Sequence, residues 1–340
     1  VGGAAARPGA SVGGTEQAGA SAGAAHAAPS AEVPRGASDP ALSIIVPVHN
    51  AGHFLLTKCL PSIRRNRRAD EFEVLLIDDG STDGITPQIC RDLAERYPAV
   101  RAYCFEDGGS GSASRPRNKG IDLARGARIA FLDPDNEISD RGYDTLLGLF
   151  EEAEAEQPGV GFVTGYQVKV SRTSTFTGRH ASSRLSIISD LRAAYFERGK
   201  FPVISTQAAV IDRELFEDGA LRFVERAAGQ DTLFGWELLL KAGVGAFTTA
   251  AHLIYYAERE ASVTNSVDLA YFRKKLLLEQ AQVEVLRRHD LLDLYVDRHF
   301  EEFYRNWYLT KLEHVAPAER PDATEILRRI ADLYEVRVDL

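Results

Sequence analysis

Two aspartates two residues apart, Asp133 and Asp135, close the apolar run Ala127-Arg-Ile-Ala-Phe-Leu132. A short apolar run that ends in turn residues reads as a buried strand meeting a loop. On extended backbone the side chains at i and i+2 point the same way, so the two carboxylates share a face. Two hard oxygen ligands on one side suit a magnesium or manganese ion that also holds a substrate diphosphate. They suit equally a solvated turn that stops a strand, so the pair needs support from elsewhere in the chain.

Further polar clusters supply it. Asp79, in Asp78-Asp-Gly-Ser-Thr-Asp83, can accept a hydrogen bond from the N3–H of a uracil ring, and Gly80 lets backbone approach a ligand closely. The same stretch also reads as a helix cap, since Ser81, Thr82 and Asp83 are capping residues. Gly108 to Gly111 is glycine-rich but lacks a Walker lysine and is not a dinucleotide fingerprint, so it reads as a mobile loop. Arg115, Arg117 and Asn118 follow at a helix start, where cations and amides suit a phosphate or a base carbonyl, or simply face solvent.

The elements that must position these groups alternate. Leu42 to Val48, Phe72 to Ile77, Val100 to Phe105 and the run up to Leu132 read as strands. His53 to Asn66, Pro87 to Tyr97 and Lys119 to Arg125 read as the helices between them. Continuous apolar strands separated by helices predict an α/β class: a mostly parallel, Rossmann-like sheet flanked by helices. In such sheets ligands sit beyond the carboxyl ends of the strands, which is where each polar cluster falls.

Composition bounds the rest. Residues 1–39 are mostly Ala, Gly, Ser and Pro and read as a disordered tail. The formal net charge of −9 argues against nucleic acid as a partner. No run reaches the roughly 18 apolar residues of a transmembrane helix. Cys59, Cys90 and Cys104 have no metal-ligand spacing and read as reduced thiols of a cytoplasmic protein.

Four of these segments carry a resemblance over about 100 residues. They are Ser43-Ile-Ile-Val-Pro-Val-His-Asn50, Leu76-Ile-Asp-Asp-Gly-Ser-Thr-Asp83, Gly109-x-x-Ser112 through Arg117-Asn118-x-Gly120, and Phe131-Leu-Asp-Pro-Asp135. In order and spacing the set resembles family 2 glycosyltransferases of the GT-A fold. The resemblance implies inverting transfer from a nucleotide-diphosphate sugar, with UDP the expected nucleotide and a divalent cation, manganese or magnesium, as cofactor. It places Pro47, His49, Asn50 and Asp79 around the base and ribose, Arg117 and Asn118 with the donor, and Asp133 and Asp135 at the metal and diphosphate. A third acidic residue usual in the family is Asn136 here.

The second half should then hold the acceptor, a hydroxyl of a glycan or polyol. Gly229-Gln-Asp-Thr-Leu-Phe234 resembles the loop that begins the family's base helix, with Gln230 in place of the usual Glu. Asp231 is the candidate general base, with capping of the helix from Thr232 to Lys241 as the plain alternative. Arg259 resembles a family arginine that neutralises the leaving diphosphate, and His252 is read as a packed side chain rather than a metal or phosphate contact. The expected domains are 40–266 for the transferase, divided into 40–137 and 138–266, and a helical segment over 267–340. The apolar stripes of that segment suit packing on the catalytic domain, a homo-oligomer surface or an acceptor module. The implied role is cell-surface polysaccharide synthesis. Two rival readings stay open, a sugar nucleotidyltransferase and a non-catalytic relative acting as a scaffold. The first would need a Gly-rich basic loop after the first strand, which Pro47 to Gly52 lacks.

Overall fold

The computed structural model describes residues 39–170, 184–256 and 267–338. The tail expected over 1–39 lies outside them except for Asp39, and so does Arg259. In chain order the strands are β1 Leu42–Val48, β2 Phe72–Asp78, β3 Val100–Cys104, β4 Arg128–Phe131, β5 Glu137–Ile138, β6 Phe162–Val170, β7 Leu185–Ile188, β8 Ala209–Asp212 and β9 Gly245–Tyr256. They form one sheet in the order β3-β2-β1-β4-β8-β6-β9-β5, with β7 paired to β9.

The strands β3, β2, β1 and β4 run parallel, in registers such as Ile44↔Val74, Val74↔Val100 and Ile45↔Phe131. Every residue of β1 and β2 is buried, as expected for parallel strands covered on both faces. Alternate side chains go to opposite sides. Ile45, Leu75, Ile77, Ile129 and Phe131 join one core, with Phe234, Trp236 and the C-terminal helices. Ile44, Val46, Val74, Leu76 and Ala130 join the other, with Leu55, Ile63, Leu146 and Phe150. Phe234 and Trp236 are thus core residues.

Beyond β4 the sheet is mixed. β8 pairs antiparallel with both β4 and β6, and β6 pairs parallel with β9. This reversal matters for the site.

The helices lie near their expected places. The stretch 52–64 is helical with a widened turn, in which the Leu60 N–H donates to the Leu55 carbonyl just before Pro61, which has no N–H to give. The helix Ser114–Leu123 starts five residues before the expected Lys119. Pro116 is well placed in a first turn but supplies no apolar periodicity, so that turn was invisible to pattern reading. Between them, Thr86–Arg96 covers the step from β2 to β3. No helix among the described residues is long and apolar enough to cross a membrane.

At the amino ends of the strands a buried carboxylate, Glu73, gathers the Ser43 hydroxyl at 2.6 Å, the Arg125 amide at 2.6 Å and Arg101 Nη1 at 3.0 Å. Burial alone would raise its pKa, but these donors hold it below the ordinary value. The foot of the sheet is therefore structural, and the carboxyl ends are left for chemistry.

Candidate active site

The crevice begins where β1 and β4 part. The Ile45 carbonyl accepts from the Leu132 N–H at 3.0 Å, and the Val48 carbonyl accepts from the Asp79 N–H at 2.7 Å. Odd positions of β1 thus face β4 and even ones face β2. Pro47 faces β4 beyond its last paired residue, Phe131, so the missing N–H leaves no ladder bond unmade. With β2 on one side of β1 and β4 on the other, this is a topological switch point, where open α/β sheets bind ligands.

Asn50 and Asp79 fasten the loops around it. Asn50 holds φ 50, and its side-chain carbonyl accepts the Thr82 and Asp83 N–H groups at 2.8 and 3.1 Å. His49 is exposed, with Nδ1 3.2 Å from the Asp79 carbonyl oxygen. Asp79 is only 3% exposed: Oδ2 accepts the Ser110 N–H and hydroxyl, both at 2.8 Å, and Oδ1 accepts Arg115 Nε at 2.7 Å. The glycine-rich loop is therefore tied to the base-binding candidate. It is tied again at Gly111, whose carbonyl accepts Lys274 Nζ at 2.9 Å. Gly80 sits at φ 67, and a Cβ there would come within 2.5 Å of Gly108 backbone, so the two loops touch only because neither carries a side chain. Asp83, not Asp79, serves the next helix, accepting the Thr86 N–H at 2.9 Å.

On the other side of the crevice one cation joins two carboxylates. Arg117 is 2% exposed; Nη1 donates to Asp231 Oδ1 at 2.6 Å and Nη2 to Asp133 Oδ1 at 2.8 Å. Burial by itself would lower the guanidinium pKa, but Asp231 and Asp133 together raise it. Its Nε is buried without a hydrogen-bond partner. The Thr206 hydroxyl also donates to Asp231 Oδ1, at 3.3 Å. No described hydrogen bond reaches Oδ2, and the side chain is 45% exposed. Asp231 lies in the first turn of Gln230–Ala242, whose N-cap is Gly229 with no side-chain cap. Its described hydrogen bonds thus go across the crevice rather than to its own helix.

Gln207 organises the aspartate pair. Its Nε2 donates to Asp133 Oδ2 at 2.8 Å, and its Oε1 accepts the Asp133 N–H at 2.9 Å and Asn136 Nδ2 at 3.0 Å. Asn136 is 1% exposed, and its Oδ1 accepts the Tyr256 N–H, so it shapes the loop. Asp135 is half-buried beside them. As a metal site the set fits: a magnesium-type ion takes one or two carboxylates and completes its shell from substrate phosphate and water. Each carboxylate oxygen of Asp133 has one described donor and keeps acceptor capacity.

Asn118 is fastened to the Phe223 backbone. Its Nδ2 donates to the Phe223 carbonyl and its Oδ1 accepts the Phe223 N–H, both at 2.9 Å. His252 is 3% exposed and packs against Gly165. Thr206, Gln207 and Ser110 were not among the residues expected from sequence. Thr206 and Gln207 lie in the short helical turn Thr206–Ala208 that leads into β8, which runs antiparallel to β4, so the start of β8 meets the carboxyl end of β4. A reading built on parallel strands gives no reason to look there.

The sequence profile of Glycosyl transferase family 2 matches residues 43–219. The uncharacterized glycosyltransferase YibD of Escherichia coli (strain K12) is 36% identical over 115 residues, 34% of this chain and 32% of YibD. The minor teichoic acid biosynthesis protein GgaB of Bacillus subtilis (strain 168) is 30% identical over 114 residues, 34% of this chain and 12% of GgaB. The match thus spans a third or less of these relatives. Among solved structures, S. aureus TarS 1-349 in complex with UDP-GlcNAc superposes with a TM-score of 0.59 at 17% identity, covering 86% of this chain and 89% of that one. At that identity the likeness speaks for the fold, which is the expected GT-A arrangement.

Proposed function

The chain belongs to glycosyl transferase family 2, and from that premise we propose that it transfers a sugar, with inversion, from a nucleotide-diphosphate donor to a hydroxyl of a glycan or polyol. The observation that carries this reading is the Arg117 bridge, in which Arg117 reaches Asp231 across 114 positions of sequence and Asp133 across 16.

The geometry supports the following division of labour. Pro47, His49, Asn50 and Asp79 frame the base and ribose, with UDP the expected nucleotide. Asp79 is covered by Ser110, so base binding requires the glycine-rich loop to shift or to share that carboxylate. Asp133 and Asp135 would hold a manganese or magnesium ion, which would supply charge neutralisation at the diphosphate. Asp231 takes the acceptor proton. Arg117 and Thr206 both donate to Oδ1, so Oδ2 is the oxygen with room for it. The acceptor oxygen bonds to the anomeric carbon as the bond to the diphosphate oxygen breaks, and the hydroxyl proton passes to Oδ2. Arg117, buried and tied to two carboxylates, orients the base rather than meeting phosphate. Asn118 supports that arrangement from behind, and Arg259 is expected at the leaving diphosphate. Relatives such as GgaB are named for teichoic acid biosynthesis, which supports a role in cell-surface polysaccharide synthesis.

The test is nucleotide release from a panel of sugar nucleotides, with and without manganese, on the purified chain. Release from one donor class, abolished by Asp135→Ala without loss of fold, is the expected result. No release from any donor would leave the non-catalytic reading in its place.

A further inference from the structure

The turn that opens the base helix faces a cation that pairs with no carboxylate among the described residues. Gly229 is exposed, holds φ 86, and no side chain caps the helix that follows. Lys275, on the helix Leu269–Arg288, is 8% exposed. Its Nζ nevertheless stands 2.7 Å from where a Cβ on Gly229 would lie. Among the described residues Lys275 makes no hydrogen bond or ion pair. Its contacts are the Tyr271 ring, 5.9 Å away, and the charge of Glu279 one turn on. That carboxylate is already held by the Tyr308 and Tyr334 hydroxyls and by Gln282. Burial lowers the ammonium pKa and Glu279 only partly opposes it.

A helix N-terminus carries partial positive charge and unpaired N–H groups. Placing a desolvated ammonium against it is repulsive unless an anion lies between them. The neighbouring charges among the described residues do not fill that role. Asp231, two residues on, is paired to Arg117, and Lys274 donates to the Gly111 carbonyl. Gln230 presents a neutral amide with no described hydrogen bond. A side-chain-free turn, a helix start with no side-chain cap and an ammonium set against it have the chemistry of an oxyanion receptor.

We propose that Lys275, Gly229 and the first turn of Gln230–Ala242 bind an oxyanion beside Asp231, and that the acceptor carries a phosphate or carboxylate a few bonds from the hydroxyl that reacts. The inference rests on Asp231 being the base. The same chemistry exists in the donor diphosphate, so the test separates the two sources.

Calorimetric titration of the full chain with glycerol phosphate, with glycerol as the neutral control and UDP in parallel, reads the site directly. The wild type is expected to bind glycerol phosphate but not glycerol. Lys275→Met should weaken glycerol phosphate binding about tenfold or more, the size of one charge-assisted hydrogen bond, and leave UDP binding unchanged. Lys275→Gln, which keeps a polar side chain of similar reach and removes only the charge, should show the same loss, and it decides the matter if Lys275→Met does not fold. Equal affinity in wild type and variants, or no binding of glycerol phosphate at all, overturns the proposal. So does a parallel loss of UDP affinity, which would give the cation to the donor. Failure of the wild type to release nucleotide from any sugar donor would instead count against the transferase reading, and it is scored separately.

Discussion

Arg117 is the residue on which the chemistry turns. A guanidinium presents a planar fork, so one side chain can hold Asp133 and Asp231 at 2.8 and 2.6 Å at once. An ammonium is a point charge and cannot reproduce that geometry. Arg117→Lys should therefore lower kcat while leaving donor affinity near normal, because Asp231 is mispositioned and the donor loops are untouched. A rise in donor Kd with kcat preserved would make Arg117 a phosphate contact instead. Arg117→Ala is expected to damage the fold as well, since it empties a buried space and leaves Asp133 and Asp231 without their shared cation, though both carboxylates stay partly exposed to water. Asp231→Asn keeps the shape but cannot take a proton. Transfer should fall by roughly 10²–10⁴-fold, with melting temperature and donor affinity retained. A near-normal transfer rate with a true acceptor would remove Asp231 from the mechanism.

At the scale of elements, the strand ends were legible and their cross-connections were not. The runs Leu42 to Val48 and Phe72 to Ile77 announce buried parallel strands, and Asp79, Asp133 and Asp135 fall at carboxyl ends as the pattern requires. Gln207 escaped notice because β8 runs backwards along β4, which no local pattern reveals. The partners Arg117 and Asn118 find in Asp231 and Phe223 lie 114 and 105 positions away, which no local pattern reveals either. The pairing of β6 with β9 also sets a pH dependence. A Cβ on Gly165 would come within 2.4 Å of His252 Cδ2, so the ring is pressed against β6 and desolvated, and its pKa falls from 6.5 to about 4. The imidazole is neutral in the fold but charged in the unfolded chain below pH 6.5. Stability present above pH 6.5 is therefore lost as pH falls toward 4, by about 3 kcal/mol. Glu237 acts in the opposite sense, since burial against only partial relief from Arg288 raises it from 4.5 to about 7. Its contribution is greatest at low pH and is lost as pH rises through 7. His252→Leu should thus flatten the acid limb between pH 6.5 and 4 in urea unfolding measured across a pH series. An unchanged slope would assign acid sensitivity to other groups.

For the molecule as a whole, the C-terminal helices decide whether the transferase part can stand alone. Phe272, Leu276, Leu278, Val283 and Leu286 bury in the same core as Phe131 and Phe234 of the sheet side. They do not form a separate core of their own. At about 1.5–3 kcal/mol for each fully buried side chain, five of them contribute on the order of 10 kcal/mol, comparable with the whole net stability of a domain. The same helix also reaches the site, through Lys274 on Gly111 and through its carbonyl, which accepts the Ala228 N–H at 3.4 Å. Removing residues 267–340 should therefore leave a chain without a cooperative thermal transition and without nucleotide binding. Removing residues 1–38, which hold almost no large apolar side chains, should leave both nearly unchanged. Calorimetry and UDP titration on the two truncated chains make the comparison. A cooperative melt and retained UDP affinity in the chain ending at residue 266 would show that the helical segment is an appended module, and that the core it shares with the sheet is dispensable.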